Sequence, residues 1–269
     1  RDVAPSRGLG DVYKRQFVDL MSPLQSMIEA QRGWTPDVFG MYGSSEFILN
    51  VFGFLILAGI ILDKMGVRFT GILSASLMVL GAGIKFYGLS NYFYEGGFGY
   101  EFLNSFLTDI PASAKLACLG FMIFGCGTEM AGVTVSRAIV KWFTGKELAL
   151  AMGLEMAIAR LGVFAVFSLS PWVANWGGDP SVARPVAVVG LLLCIGLLTY
   201  IAFSVMDFKL DRQTEADTPI GETEEPFKVA DLKNLFSSKT FLIVSALCVL
   251  IARRSAMPVS YTHLTLATI

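Results

Sequence analysis

The chain is short of charge and almost without histidine. Of its 269 residues only 16% are Asp, Glu, Lys or Arg, one is histidine, and 21 basic residues against 22 acidic ones leave a net charge of −1. A chain with no basic field has nothing to hold a phosphate backbone, so no nucleic-acid partner is expected. The four cysteines, Cys118, Cys126, Cys194 and Cys248, lie scattered through apolar runs. They offer neither the paired spacing of a metal site nor a disulfide framework, and no metal or cofactor is expected. Paired histidines and a Gly-x-Ser-x-Gly turn are also missing, so no catalytic residue is assigned and the chain is not read as an enzyme. At Arg1 there is no initiator methionine and no charged-then-apolar leader, which predicts that the natural start lies elsewhere. What the chain has in excess is apolar surface. Hydrophobic residues make up 54% of it and the mean hydropathy is +0.60, too apolar for a water-soluble domain.

A membrane-spanning helix needs roughly 20 apolar residues, because the hydrocarbon core is about 30 Å thick and a helix rises about 1.5 Å per residue. Five stretches qualify: Phe39 to Leu62, Phe69 to Leu89, Leu116 to Val140, Leu148 to Trp172 and Val186 to Met206. Phe17 to Ile28 reads as the closing part of an earlier span, and Thr240 to Ala252 as the opening of a later one. The connections alternate in charge. Lys64 and Arg68, then Arg137, Lys141 and Lys146, then Lys209, Arg212, Lys228, Lys233 and Lys239 mark one face as cytoplasmic,. Arg32, Lys115 and Arg184 fall on the opposite side, with the long connector from Ser90 to Ala114.

The fold expected is an all-α membrane protein: a six-helix half over residues 17–206, its first helix incomplete, a cytoplasmic linker over 207–239, and the start of a seventh helix over 240–252. The linker carries five basic and eight acidic residues, net −3. Its second half places Val229, Leu232 and Phe236 at helical spacing, which suits an amphipathic surface helix as well as an irregular tether does. Residues 1–16 and 253–269 cut into candidate helices with mixed sequence. They resemble translated adapter sequence, so both ends, with His263, are set aside.

After the second span the chain reads Gly59-Ile60-Ile61-Leu62-Asp63-Lys64-Met65-Gly66-Val67-Arg68. A small residue permits close helix approach, an acid can cap a neighbouring helix, a glycine permits a tight turn, and basic residues hold the loop in the cytoplasm. The run resembles the G-x-x-x-D-[RK]-x-G-x-[RK] signature of the major facilitator superfamily. That resemblance implies a conformational latch between two halves of a carrier, formed here by Gly59, Asp63, Lys64, Gly66 and Arg68. The fourth-helix pattern R-x-x-x-G-x-G departs from the family, since Gly125 and Gly127 are present but Phe121 stands where the arginine would be. Proton coupling through that position is therefore not implied. The fifth helix lacks the glycine-proline pattern of drug antiporters and carries Ser168-Leu169-Ser170-Pro171 instead.

Glu129 and Arg160 fall about halfway through the fourth and fifth spans, where each costs roughly 2.5–3.5 kcal/mol by insertion scales. Such a pair can neutralise itself, or it can clamp the two ends of a zwitterion. The residues alone leave both readings open. The stretch Phe124 to Leu161, with F-G-x-G-x-E, W-F-x-G-K-E-L at Trp142 to Leu148, Gly153-Leu154 and A-R-[LI]-G at Ala159 to Gly162, resembles the lysosomal dipeptide transporter branch of that superfamily. The likeness implies that Glu129 takes a substrate ammonium and Arg160 its carboxylate.

Asp19, Glu46 and Glu155 are further candidates for the cavity, although Glu155 lies on a different helix face from Arg160. Lys85, near the outer end of the third span, is expected to snorkel to the headgroups. Trp34, Trp142, Trp172 and Trp176 are expected at the interfaces.

The function implied is transport of small zwitterions, dipeptides first, by alternating access. A small organic anion held by Arg160 alone, or a non-transporting membrane scaffold, are the alternatives. The partners expected are a small-molecule substrate and the lipid bilayer, and an accessory membrane subunit is left open. The location expected is the plasma (inner) membrane of a prokaryote or an endolysosomal membrane of a eukaryote.

Overall fold

The computed structural model describes residues 20–142 and 146–217. Asp19, both suspect ends, residues 218–239 of the linker with its amphipathic stretch, and the seventh helix lie outside the described residues. Among the described residues every regular element is helical. The chain enters through a 3-10 turn at Ser22–Leu24, set by Pro23, and a short helix α1 (Gln25–Arg32) that ends on left-handed Gly33 (φ 65°). Of the earlier helix expected to close near Ile28, the described part begins at this turn and continues to Arg32.

Helix α2 (Pro36–Leu49) begins with Thr35 accepting from the Val38 amide, with proline in its first turn,. A five-residue π turn (Asn50–Phe54), with Gly53 at φ 94°, joins it to α3 (Leu55–Leu89). The apolar segment Pro36–Leu89 is 54 residues long, which at ~1.5 Å per residue makes ~80 Å, far more than one crossing needs. Gly66, at φ 76° and ψ 171°, divides it. These dihedrals lie outside helical space and are open to glycine. The result is the second and third spans foreseen in the sequence.

Their opposite directions follow from what they touch on α6 (Ala112–Trp142), the fourth span. Tyr42 stacks on Phe121 and Asp63 pairs with Arg137, so the second span runs parallel to α6. Gly88 faces Leu116, Gly81 faces Gly120, and Ser74 and Met78 face Gly127, so the third runs antiparallel. The α3–α6 contact is backbone against backbone. A Cβ added at Gly81 would lie 2.5 Å from the Gly120 carbonyl oxygen, and one at Gly120 would lie 2.7 Å from that of Gly81. Such a crossing is the means by which helices associate where water supplies no driving force.

The fifth span is α7 (Lys146–Asn175) and the sixth α8 (Ala183–Asp217). The apolar part of the sixth, Ala183–Ala202, agrees with the span read at Val186 to Met206, and the helix continues past it through Asp217. Between Leu197 and Asp217 the sequence has neither Gly nor Pro, and Lys209, Leu210, Arg212, Gln213, Glu215 and Ala216 are strong helix formers, so nothing stops it at the edge of the apolar run. Outward faces carry bare apolar side chains, Val51 (81% exposed), Phe52 (84%), Leu150 (74%) and Phe164 (71%) among them. That is the surface of a protein whose solvent is lipid.

Side-chain ties close the outer end, opposite Asp63. Arg32 donates to the Leu89 carbonyl at 2.8 Å and to Asn91 Oδ1 at 2.5 Å. Gln31 donates to the Pro180 carbonyl at 2.7 Å. Trp34, expected as an interfacial anchor, is buried with its Nε1 donating to Ser113 Oγ at 3.0 Å. Trp172 and Trp176 are exposed and stacked on each other at 5.4 Å.

Candidate functional site

Helix α6 is gripped along most of its length, and its less buried line runs through Met122, Glu129, Val133, Ser136 and Val140. Glu129 is half-buried on that line, flanked by buried Thr128 and Met130. Among the described residues the Thr128 hydroxyl has no hydrogen-bond partner. Helix α7 buries one stripe, Ala159, Gly162, Val166, Ser170 and Ala174, at helical spacing,. Arg160 is beside that stripe and exposed. Among the described residues no ion pair joins Glu129 to Arg160. Both charges therefore remain open to whatever occupies the space beside them.

The structure places Glu46 elsewhere than on an open wall. Glu46 is 4% exposed, and a Cβ added at Gly125 would meet its carbonyl oxygen at 2.2 Å and its Cγ at 2.8 Å. Gly125 is one helical turn before Glu129, so the close approach of α2 fixes the height of α6 next to the candidate site. Glu155 is half-buried on α7.

Lys85 does not snorkel. It is fully buried, with Nζ 5.1 Å from the Tyr42 ring centroid and 5.0 Å from that of Phe121. Glu46 is near enough for its charge to act on the ammonium. A desolvated cation on an aromatic face gains up to ~2 kcal/mol. Two such faces and an acid together offset the roughly 2.5–3.5 kcal/mol that the charge costs in the membrane. Phe121, where the family pattern has arginine, thus forms one wall of a cation site. The signal for Lys85 was in the sequence: Glu46 and Lys85 are opposite charges in the outer halves of neighbouring spans, as Glu129 and Arg160 are at mid-depth.

At the cytoplasmic end Asp63 accepts from Arg137 Nη1, and the two side chains are 29% and 35% exposed. The acid thus meets a side chain of α6, where capping of a neighbouring helix was expected. Gly66 makes the turn. Gly59 meets nothing within 4 Å of a built Cβ, so among the described residues it does not bring two helices together. Lys64 is exposed, and the Arg68 guanidinium is 5.6 Å from the Phe208 ring centroid on α8. Tyr200 of α8 donates to the Val67 carbonyl at 3.0 Å, and its ring fills the space over Gly71, where a Cβ would lie 1.9 Å from the hydroxyl oxygen. Arg137 was read from sequence only as a basic residue marking the cytoplasmic face, and Tyr200 and Phe208 were not singled out, since a lone basic or aromatic residue on a helix has no motif of its own.

Comparison with known families decides among membrane folds of this composition. The profile of the Major Facilitator Superfamily matches residues 17–267. The chain belongs to the major facilitator superfamily. Curated members similar to it include the lysosomal dipeptide transporter MFSD1 of Gallus gallus, 32% identical over 135 residues, or 48% of this chain and 30% of that protein. The proteins of the same name from Mus musculus and Homo sapiens are 30% and 25% identical over 138 and 140 residues, each match covering 49% of this chain. These matches span about 30% of the length of the relatives, so this major facilitator chain corresponds to only part of such a protein. Its membership makes it an integral membrane protein, and the four long apolar segments, one of them folded at Gly66, agree.

Proposed function

We propose that the protein of which this chain is part is a secondary transporter, not an enzyme, and that it carries small zwitterions, dipeptides first, by alternating access. Glu129 receives the substrate's ammonium group and Arg160 its carboxylate, the latter as a fork able to bind both oxygens. One observation carries this reading. The two mid-span charges stay unjoined and reachable on consecutive helices, where a purely structural pair would be expected to close on itself. The names of the similar proteins support the cargo class.

The Asp63–Arg137 pair, with Lys64, Gly66 and Arg68, serves as the latch that opens and closes with the conformational cycle, and Gly59 is left free to meet a part of the protein beyond the described residues. Exposed and solvent-screened, the pair is weak enough to be broken in each cycle.

A carrier of small organic anions is the second reading. It is favoured by the exposure of Arg160, to which no acid is bound among the described residues. Uptake of a radiolabelled dipeptide into vesicles holding the full-length protein tests the first reading. Glu129→Ala and Arg160→Ala are each expected to abolish saturable uptake, and normal uptake by either variant removes that residue from the site. A monocarboxylate that competes as well as a dipeptide transfers the case to the anion carrier.

A further inference from the structure

Outside the candidate site, a groove at the outer end of the bundle is left unexplained by the transport reading. It has a volume of about 490 Å³ and is lined by Leu80 and Ile84 of α3, Leu116 of α6, and Phe98, Phe102 and Leu103 of the outer connector. The connector folds as two short helices, α4 (Asn91–Tyr94) and α5 (Tyr100–Asn104), pinned by Phe93, which is fully buried. The Tyr87 hydroxyl donates to the Phe98 carbonyl at 3.2 Å, and the surface the groove presents is apolar. The apolar side chains are nevertheless uncovered, with Leu80 55%, Phe98 91% and Phe102 72% exposed.

Depth identifies the occupant. Leu80 is nine residues before the end of the third span at Leu89, so the groove descends ~13 Å from the outer surface, close to half of the ~30 Å hydrocarbon core. It is continuous with the lipid-facing side of α3 and has the reach of one leaflet. At its mouth is Lys115, bonded through Nζ to the carbonyls of Leu103 and Phe106. An ammonium has three donors. Two are taken and Nζ also lies 4.7 Å from the Phe106 ring centroid, so among the described residues one N–H has no acceptor beside the groove residues Leu103 and Leu116. Charge narrows the headgroup further. Between Ser90 and Lys115 the connector carries Glu95, Glu101 and Asp109 against that one lysine, a balance that repels a net anion and suits a headgroup with a phosphate and an ammonium.

We infer that this groove is a binding site for a zwitterionic phospholipid of the outer leaflet, one acyl chain lying along Leu80, Ile84 and Phe102 and the phosphate accepting the remaining Lys115 donor. The site does not depend on the transport reading.

The test uses the full-length protein in vesicles of phosphatidylcholine with a photoactivatable group in the acyl chain, followed by peptide mapping. Adducts are expected at residues 80–84, 98–103 and 116 at several-fold the level on the bare face of α7 at Leu161 and Phe164. Gly83→Trp, at a position where a built Cβ meets nothing within 4 Å, is expected to fill the groove and erase those adducts while leaving those on α7. Should that variant fail to fold, Phe102→Gln, at an exposed position, is expected to lower them instead. Lys115→Gln is expected to weaken phosphatidylcholine retention in detergent roughly tenfold, the worth of one charge-assisted hydrogen bond, and to leave retention of diacylglycerol, which has no phosphate, unchanged. Glycerophosphocholine, a headgroup without chains, is expected not to compete. The inference is overturned if groove and α7 label alike, if the Trp and Gln variants label as the native protein does, if phosphatidylglycerol is held more tightly than phosphatidylcholine, or if a second polypeptide is crosslinked in the groove.

Discussion

Helices α6 and α7 are similar in length and composition, with Glu129 and Arg160 near their respective middles, yet they are held very differently. In its most apolar stretch α6 is 56% buried and α7 only 17%. The first is clasped by α2 and α3 through glycine contacts, aromatic stacking and the ion pair with Asp63. The second touches the rest of the described bundle along one stripe. The height of Glu129 is therefore determined within this part of the protein, whereas Arg160 belongs to a face completed by lipid, substrate or the rest of the parent protein. A binding site formed by one anchored and one loosely held helix is suited to a carrier, which must keep its charges in register while one wall moves.

The sharpest way to break this contrast is to remove a charge from the gripped side. Lys85→Met leaves Glu46 buried without its neighbouring cation and is predicted to destabilise the full-length protein by about 3–5 kcal/mol, measured by unfolding in mixed micelles. The double variant with Glu46→Gln should recover most of that loss. Arg160→Met on α7 should change stability by less than about 1 kcal/mol while abolishing uptake. Equal losses at the two sites would erase the distinction.

A smaller effect is expected from volume. Gly120→Ala places a methyl against the Gly81 carbonyl and is predicted to cost about 1–3 kcal/mol. Gly153→Ala on α7, where a built Cβ meets nothing within 4 Å, is predicted to be neutral or to stabilise by up to ~1 kcal/mol through helix propensity. A large cost at Gly153 would show that α7 packs against parts of the protein beyond the described residues. A similarly small stability change is expected at the cytoplasmic end. Arg137→Ala removes an exposed pair and should cost under ~1 kcal/mol, yet slow dipeptide exchange. The swapped variant Asp63→Arg with Arg137→Asp should recover the rate, and an unchanged rate in the single variant would remove the pair from the latch.

Much of this architecture was legible in the residues. Apolar length alone located five crossings, and glycine chemistry located the turn at Gly66, because both are properties of a single segment. What the residues did not disclose depends on which segments meet. Lys85 read as a snorkelling residue because its distance from the helix end permits that, and only the arrival of Tyr42 and Phe121 on both sides shows that it is sealed. Trp34 read as an anchor for the same reason, until Ser113 supplied a buried acceptor. Hydropathy bounded the sixth span but not its helix, which runs on to Asp217 because helix propensity does not fall where hydropathy does,. At the candidate site, position along the helix was readable for Glu129 and Arg160, but the unequal support beneath them was not.

If Glu129 and Arg160 hold the two ends of one substrate, positions 129 and 160 face one water-filled chamber. Single cysteines placed there in the full-length protein, in a background with its native cysteines replaced, can be titrated with a membrane-impermeant thiol reagent applied from each side, with and without a saturating dipeptide. The prediction is that both positions react, from whichever side the chamber opens, and that the dipeptide slows both reactions together. If neither thiol reacts from either side, or if both react at rates indifferent to the dipeptide, the two charges are part of the scaffold and the substrate binds elsewhere.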